Sequence, residues 1–441
     1  MRRPHASNRV DSNTTDQHKM DPTIKLHTQT ISTRSIKSKI ATSVTLIVLL
    51  SCYYLFESKT KSSSKKYGII IDGGSTGTRI HVFGYRVGSG GKTVFDFEEG
   101  ALKVSPGLSA YAEDPGGAGG SVEELVEFGK GRVPRELWGE TEDSWASVIT
   151  GSDEGLYAWV IANYALGALG GDPLETSGII ELGGASAQVT FVSTEPVPPE
   201  FSRTFKFGNI SYNIYSHSFL QLGQNAALEA LRESLVSEDH HLAAESPEKV
   251  IYMDPCTPKG YSHVVESWKL SPGSLTEKNR VVSTLHSRGN FSECRSAAFS
   301  LLQKGKERCS YQHCHIGSIF VPKLQGKFLA TENFFHTSKF FGLDQRAFLL
   351  NLMIAGEQFC GEDWSRLKKK HRSFKDEDLA LYCFSAAYIV ALLHDSLGIA
   401  IDDQRIEFAN QAGNIPLDWA LGAFILHTNA ALTWKSTLTG L

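Results

Sequence analysis

The sequence has almost no surplus charge of either sign. Its 44 Lys and Arg stand against 48 Asp and Glu, a formal net charge of −4 over 441 residues. With no basic excess to neutralise a phosphodiester backbone, no nucleic-acid partner is expected. Cysteine is missing between Cys52 and Cys256, which keeps any disulfide framework out of that long stretch. The chain is not short of apolar residues, at 41% hydrophobic and 21% charged. That balance excludes a largely disordered or collagen-like chain. At about 100–200 residues per domain, the length is enough for two or three domains with their own cores.

Residues 1–39 are polar, rich in Ser, Thr, Lys and Arg, and without apolar periodicity, which reads as a disordered tail. Ile40–Phe56 then runs without a charge. At about 17 residues it reaches the lower limit for a membrane span. No small-residue cleavage site follows Phe56, so a signal anchor is expected rather than a removed signal peptide, with residues 57–66 as linker. The six cysteines beyond it, Cys256, Cys294, Cys309, Cys314, Cys360 and Cys383, are an even set, which in a membrane-tethered chain points to disulfides. Asn209-Ile-Ser211 and Asn290-Phe-Ser292 are glycosylation acceptors. The expectation is a single-pass type II protein of the Golgi or endoplasmic reticulum, or of the cell surface. Its tail is cytosolic and its body lumenal. Cys309-Ser-Tyr-Gln-His313-Cys314-His315 lacks a second ligand pair at zinc spacing and is not taken for a metal cluster.

The body carries one internal repeat. Gly68-Ile-Ile-Ile-Asp72-Gly73-Gly74-Ser75-Thr76-Gly77-Thr78-Arg79 is an apolar strand breaking into a glycine turn. The segment Gly178-Ile-Ile-Glu181-Leu-Gly183-Gly184-Ala185-Ser186-Ala-Gln188 repeats it. Each is followed by an alternating strand, Ile80-His-Val-Phe83 and Val189-Thr-Phe-Val192, so each is expected to be a β-hairpin. A turn without bulky side chains, rich in backbone N–H groups and hydroxyls, is a nest for an anion such as phosphate. Asp72 and Glu181 end the incoming strands, where they could hold water on a divalent cation. Two matching hairpins carry far more weight than one.

Two glycine clusters are set aside. Gly88-Ser-Gly-Gly-Lys92-Thr93 resembles the end of a nucleotide-binding lysine loop, but an alternating stretch, Val94-Phe-Asp-Phe97, follows it where that loop needs a helix. Gly116–Gly120 precedes Ser121-Val-Glu-Glu124, a capping box expected to open a helix from Ser121 to Trp138. Between the hairpins, Ser147–Gly151 reads as a strand and Gly155–Tyr164 as a helix. That places Glu154 at a strand's carboxyl end and beside a helix N-terminus. A lone Glu there ordinarily serves the helix dipole. Beside two phosphate hairpins it becomes a candidate general base for water.

In that order, Ile71-Asp-Gly-Gly-Ser-Thr-Gly-Thr-Arg79, Ile149-Thr-Gly-Ser-Asp-Glu154 with the helix after it, and Ile180-Glu-Leu-Gly-Gly-Ala-Ser-Ala-Gln188 resemble the conserved regions of the apyrases. These are membrane or lumenal nucleoside di- and triphosphate hydrolases, and the likeness is to plant members with a signal anchor. It extends from Tyr67 through Asn414-Ile-Pro-Leu-Asp418-Trp419-Ala-Leu-Gly422, which resembles the family's last motif. The resemblance implies an α/β fold of two actin-like, heat-shock-70-like (ribonuclease H-like) domains with an interdomain cleft, after a single transmembrane helix. It implies that Gly73, Gly74, Ser75, Thr76, Gly77 and Thr78 hold one phosphate, and that Gly183, Gly184, Ala185 and Ser186 cradle another. Asp72 and Glu181 would order waters on Ca²⁺ or Mg²⁺, while Ser186 and Gln188 would place the water that Glu154 activates. The substrates expected are GDP, UDP, ADP and ATP.

One family motif is missing. No Ala-Thr-Ala-Gly-x-Arg string lies between the first hairpin and Glu154, and the sequence runs straight through Glu142-Asp143. By resemblance a phosphate-contact strand is absent there. The alternative to an active hydrolase is therefore an impaired, nucleotide-binding relative. A cytosolic polyphosphate or guanosine-tetraphosphate phosphatase of the same superfamily fits the anchor and cysteines less well. The repeat predicts a first domain over 67–169, rejoined by a helix within 410–441, and a second over 170–409. Short loops favour pairing the cysteines in sequence, Cys256–Cys294, Cys309–Cys314 and Cys360–Cys383, although 15 connectivities are open to six cysteines. The basic run Arg366–Arg372 is expected to be a solvated face rather than a calmodulin target.

Overall fold

Alternating apolar residues after Lys65 form extended chain, and the glycine pairs let it reverse. In the computed structural model, which describes residues 65–74, 77–88, 93–111, 118–133, 148–238, 252–270, 278–346 and 349–438, the first hairpin joins β1 (Lys66–Gly74) to β2 (Gly77–Val87). Strand β3 (Thr93–Val104) pairs antiparallel with β2 and closes a three-stranded sheet in the order β1-β2-β3. Val94–Phe97 therefore lies in a strand, as its alternation requires, and not in a helix. The tail, the Ile40–Phe56 segment, the linker up to Ser64 and the Glu142–Asp143 junction lie outside the described residues, as do Ser75 and Thr76.

Two boundaries differ from the sequence reading. Helix α1 spans Gly119–Lys130, capped by Ala118 without a side-chain hydrogen bond, so Ser121 lies inside its first turn. It ends at Lys130 rather than Trp138, with Gly129 in its last turn and Gly131 at its C-cap, and glycine is a poor helix former. Residues 148–150 are not strand, and helix α2 already begins at Gly151 and runs to Ala165. The capping residue is Thr150. Its hydroxyl accepts from the Asp153 N–H at 3.2 Å, while the Asp153 carboxylate accepts from the Thr150 N–H at 3.3 Å. This reciprocal box fixes the helix start ahead of Glu154.

The second hairpin joins β4 (Gly178–Leu182) to β5 (Ser186–Val192). With β6 (Ser202–Phe207) and β7 (Ile210–Leu220) it makes an antiparallel half-sheet, followed by helix α3 (Gln224–Glu238). Strands β8 (Tyr252–Asp254), β9 (Ser262–Leu270) and β10 (Lys278–Ser287) form a small separate sheet. Then come α4 (Phe291–Leu302), the short hairpin β11 (Cys314–Ile316) and β12 (Ile319–Phe320), and β13 (Phe328–Glu332). Helices α5 (Asn333–Phe340), α6 (Leu349–Gly361), α7 (Trp364–Lys370) and α8 (Asp376–Val390, continued as a wider turn to Ser396) precede β14 (Ile406–Phe408). A tiny hairpin, β15 (Gln411–Ala412) with β16 (Ile415–Pro416), leads into α9 (Trp419–Leu438). Strand β13 lies parallel to both β4 and β14, giving a mixed six-stranded sheet, β14-β13-β4-β5-β7-β6.

Helices α2 and α9 form the layer between the two sheets. Trp159, Ile161, Leu421, Phe424 and Ile425 bury against Phe83 and Phe95 on one side and Ile179, Tyr212 and Ile214 on the other. The expected return of the C-terminal segment is thus observed, with Leu417, Ala420, Leu421 and Phe424 all inside this core. The far face of the six-stranded sheet is covered by α3, α4, α6 and α8. All three disulfides close in sequence order, Cys256–Cys294, Cys309–Cys314 and Cys360–Cys383. Among the described residues the segment Asp376–Ser396 is long and apolar enough to cross a membrane, but it is mostly buried in this core and tied through Cys383, so it serves as a core helix.

Candidate active site

The two hairpins have the same register. Asp72 stands opposite Arg79 and Glu181 opposite Gln188, each carboxylate facing the residue seven positions on. In the first hairpin, Gly74 pairs with Gly77, and nothing lies within 4 Å of where a Cβ on Gly73 would sit, so its flank is open. Thr78 is buried, and its hydroxyl oxygen accepts the Leu108 N–H at 2.8 Å. Arg79 Nη1 lies 3.6 Å from Asp72 Oδ2. In the second turn, the Gly183 carbonyl accepts from the Gln224 N–H at 2.8 Å, and the Gly184 carbonyl accepts from Asn225 and Ala226 at 2.9 and 3.1 Å. The N-terminus of α3 thereby takes up both turn carbonyls. Gly223 makes this approach possible, since a Cβ there would fall 2.3 Å from the Ser186 nitrogen.

Helix α2 rests on β5 and β7 through Gly151 and Gly155, whose missing side chains let Ser218, Thr190 and Ser216 come close. This seats Glu154 beside the second hairpin. The Gln188 amide nitrogen donates to Glu154 Oε2 at 3.1 Å and to Ser186 Oγ at 2.9 Å, with Ser218 Oγ at 3.3 Å. Glu154, Ser186 and Gln188, proposed from sequence as one water-handling group, are in mutual contact through this amide. Burial pushes the Glu154 carboxyl up to about 7, and the charges of Asp72 and Glu332 push the same way. A carboxylate poised near neutrality is suited to proton uptake.

Glu181 is enclosed, and its Oε2 has no hydrogen-bond partner. Burial holds this carboxyl well above the usual range, with Glu154, Glu332 and Asp418 adding to the effect. Asp72 is raised as well: burial outweighs the opposing pull of Arg79, Asp418 and Glu332 add to it, and His81 opposes it. Among the described residues no three His, Cys, Asp or Glu side chains close on one point tightly enough to hold a metal ion directly. The orphaned Glu181 oxygen fits a hydrated cation, since a buried carboxylate without donors needs positive charge.

Three contributors were not singled out from sequence. Asp418 caps α9, its Oδ1 accepting the Ala420 N–H at 2.8 Å, and its Oδ2 lies 3.6 Å from His81 Nε2. It lies in the Asn414–Gly422 segment, and the packing of α9 on the first sheet brings it to the cluster. Glu332 ends β13, level with Leu182. Its signal was topological: nothing in the sequence around it announces that β13 lies beside β4.

The site thus joins a pair of carboxylate-bearing glycine hairpins to a helix-borne glutamate raised to near neutrality. Residues 58–142 and 140–440 match the GDA1/CD39 (nucleoside phosphatase) family, to which the chain belongs, and it is an enzyme of that nucleoside phosphatase class. It is 53% identical to "Probable apyrase 6" of Arabidopsis thaliana, over 97% of this chain and 88% of that protein. It is 27% identical to mouse ectonucleoside triphosphate diphosphohydrolase 1, over 88% and 86% of the two chains. The fold is shared with a nucleoside triphosphate hydrolase structure from Neospora caninum, at a TM-score of 0.62 and 16% identity, covering 89% of this chain and 98% of that one. The family match breaks at residues 140–142, beside the Glu142–Asp143 junction. The alignment to the Arabidopsis protein runs over 488 positions against 441 residues here, so at least 47 of them have no counterpart in this chain.

Proposed function

We propose that the chain hydrolyses nucleoside di- and triphosphates to the monophosphate and inorganic phosphate. In this reading a water attacks the terminal phosphorus: its oxygen forms the new P–O bond, its proton passes to Glu154, and the bridging P–O bond breaks toward the nucleotide. The observation that carries it is the Gln188 amide shared between Glu154 and Ser186, which holds the base and a hydroxyl side by side. Backbone N–H groups and hydroxyls of Gly73 to Thr78 and of Gly183 to Ser186 would bind the phosphates on either side. Asp72 and Glu181 would hold a Ca²⁺ or Mg²⁺ through water, and the cation would draw charge from the phosphate chain. Each hairpin would belong to one of two actin-like domains, 67–169 with 410–441 and 170–409, and nucleotide would lie between them. The three closed disulfides support a lumenal body of the secretory pathway, anchored by Ile40–Phe56.

Phosphate release by the purified chain with GDP, UDP, ADP and ATP, with and without Ca²⁺ or Mg²⁺, tests this. Cation-dependent release is expected. Nucleotide binding without release would overturn it in favour of the impaired relative, for which the break at residues 140–142 is the supporting observation.

A further inference from the structure

We propose that Glu332 is a third acidic partner, alongside Asp72 and Glu181, of the hydrated divalent cation at this site. The inference rests on the metal reading of the proposed function and adds to it a residue outside both hairpins.

Position comes first. Strand β13 runs parallel to β4, with Thr331 level with Glu181 and Glu332 level with Leu182. Glu332 therefore leaves the sheet at the same carboxyl end from which the second glycine turn departs. The Asn333 side-chain amide donates to the Leu182 carbonyl at 2.8 Å and locks the two strand ends together.

Backbone conformation is the second observation. Glu332 has φ 59° and ψ −119°, on the positive-φ side that glycine enters freely and glutamate only at a cost. Its N–H is held there by Asn410 Oδ1 at 2.7 Å. Glycine would relieve the strain, so the side chain must contribute something glycine cannot.

Charge is the third. The groups acting on Glu154 and Glu181 are all acidic, Glu332 among them in both cases, and Glu181 Oε2 is enclosed without a donor. Among the described residues, the groups that oppose this are Arg79 and His81, and they act at Asp72. A glutamate that is strained and also repelled by its neighbours weakens the metal-free fold. It becomes favourable when a cation sits among these carboxylates. Because no three of them converge to direct-ligand distance among the described residues, the contact runs through coordinated water, as is usual for Mg²⁺ and common for Ca²⁺.

The test is the thermal midpoint of the full chain against Ca²⁺ concentration, with and without a non-hydrolysable ATP analogue, for wild type, Glu332→Gln, Glu332→Gly and Asp72→Ala. In chelator, both Glu332 variants are expected to melt above wild type. The Ca²⁺ concentration giving half the stabilisation should rise tenfold or more in both. Glu332→Gly suits the local backbone, so a weakened response there cannot be blamed on misfolding. If both Glu332 variants respond to Ca²⁺ as wild type does while Asp72→Ala does not, the inference is overturned and the metal reading stands. If wild type itself responds to neither Ca²⁺ nor Mg²⁺ in either condition, the metal reading fails and takes this inference with it.

Discussion

At the scale of single residues, the reading turns on Glu154. Its carboxyl titrates near 7 because burial, Asp72 and Glu332 all disfavour its charge. A base must be ionised to accept a proton, so turnover should climb through that region as pH rises. Glu154→Gln should lower turnover by about 10²–10⁴-fold, since the amide cannot take the proton of water. Nucleotide affinity should change far less, and the remaining activity should lose the rise near pH 7. Rate against pH for both proteins checks this, and a variant with near wild-type turnover would move the base elsewhere. Asp72→Ala should instead raise the cation concentration needed for half-maximal rate, because a water-mediated contact orients phosphate without transferring a proton.

At the scale of elements, the fit of α2 between α9 and the β5–β7 pair decides where Glu154 points. An added Cβ on Gly422 would sit 1.9 Å from the Tyr157 carbonyl oxygen, and one on Gly155 would sit 2.5 Å from Thr190 Oγ1. Gly422→Val should therefore force the helices apart and cost about 1–3 kcal/mol, as overpacking does. Denaturant midpoints would measure it, and an unchanged midpoint would show that the α2–α9 contact yields more easily than its geometry implies. Much of this level was legible in sequence. Both hairpins, the strand after Lys92, the C-terminal helix and the order of disulfides followed from glycine placement, alternation, helical spacing and short loops. Local signals failed where they competed. The apolar run Val148-Ile149 looks like a strand, yet the Thr150–Asp153 box starts a helix at Gly151. Glu332, Asp418 and His81 were illegible for another reason. Each reaches the cluster only through pairings between strands or helices distant in sequence, such as β13 beside β4 and α9 against the first sheet.

At the scale of the whole molecule, the carboxylate cluster sets a pH dependence of stability opposite to that of ordinary surface acids. Asp72, Glu154 and Glu181 all lie above their usual range. In the folded protein they keep protons that the unfolded chain has already released. Stability should then fall as pH rises, from the ordinary glutamate value of 4.5 up through about 7 in the case of Glu154. That one group amounts to about 3 kcal/mol over the window, at 1.36 kcal/mol for each tenfold change in acidity. The loss is complete once pH passes the folded value, so metal-free protein at pH 8 should carry all of it. Glu154→Gln removes the titrating group and should flatten this part of the profile while raising the midpoint at pH 8. A bound cation should act in the same direction, by neutralising the cluster that makes ionisation costly. Thermal midpoints of wild type and Glu154→Gln in chelator, taken from pH 4.5 to 8, would decide it. Parallel profiles for the two proteins would mean that Glu154 ionises in the folded state as readily as in the unfolded one, and its role as a tuned base would fall with that result.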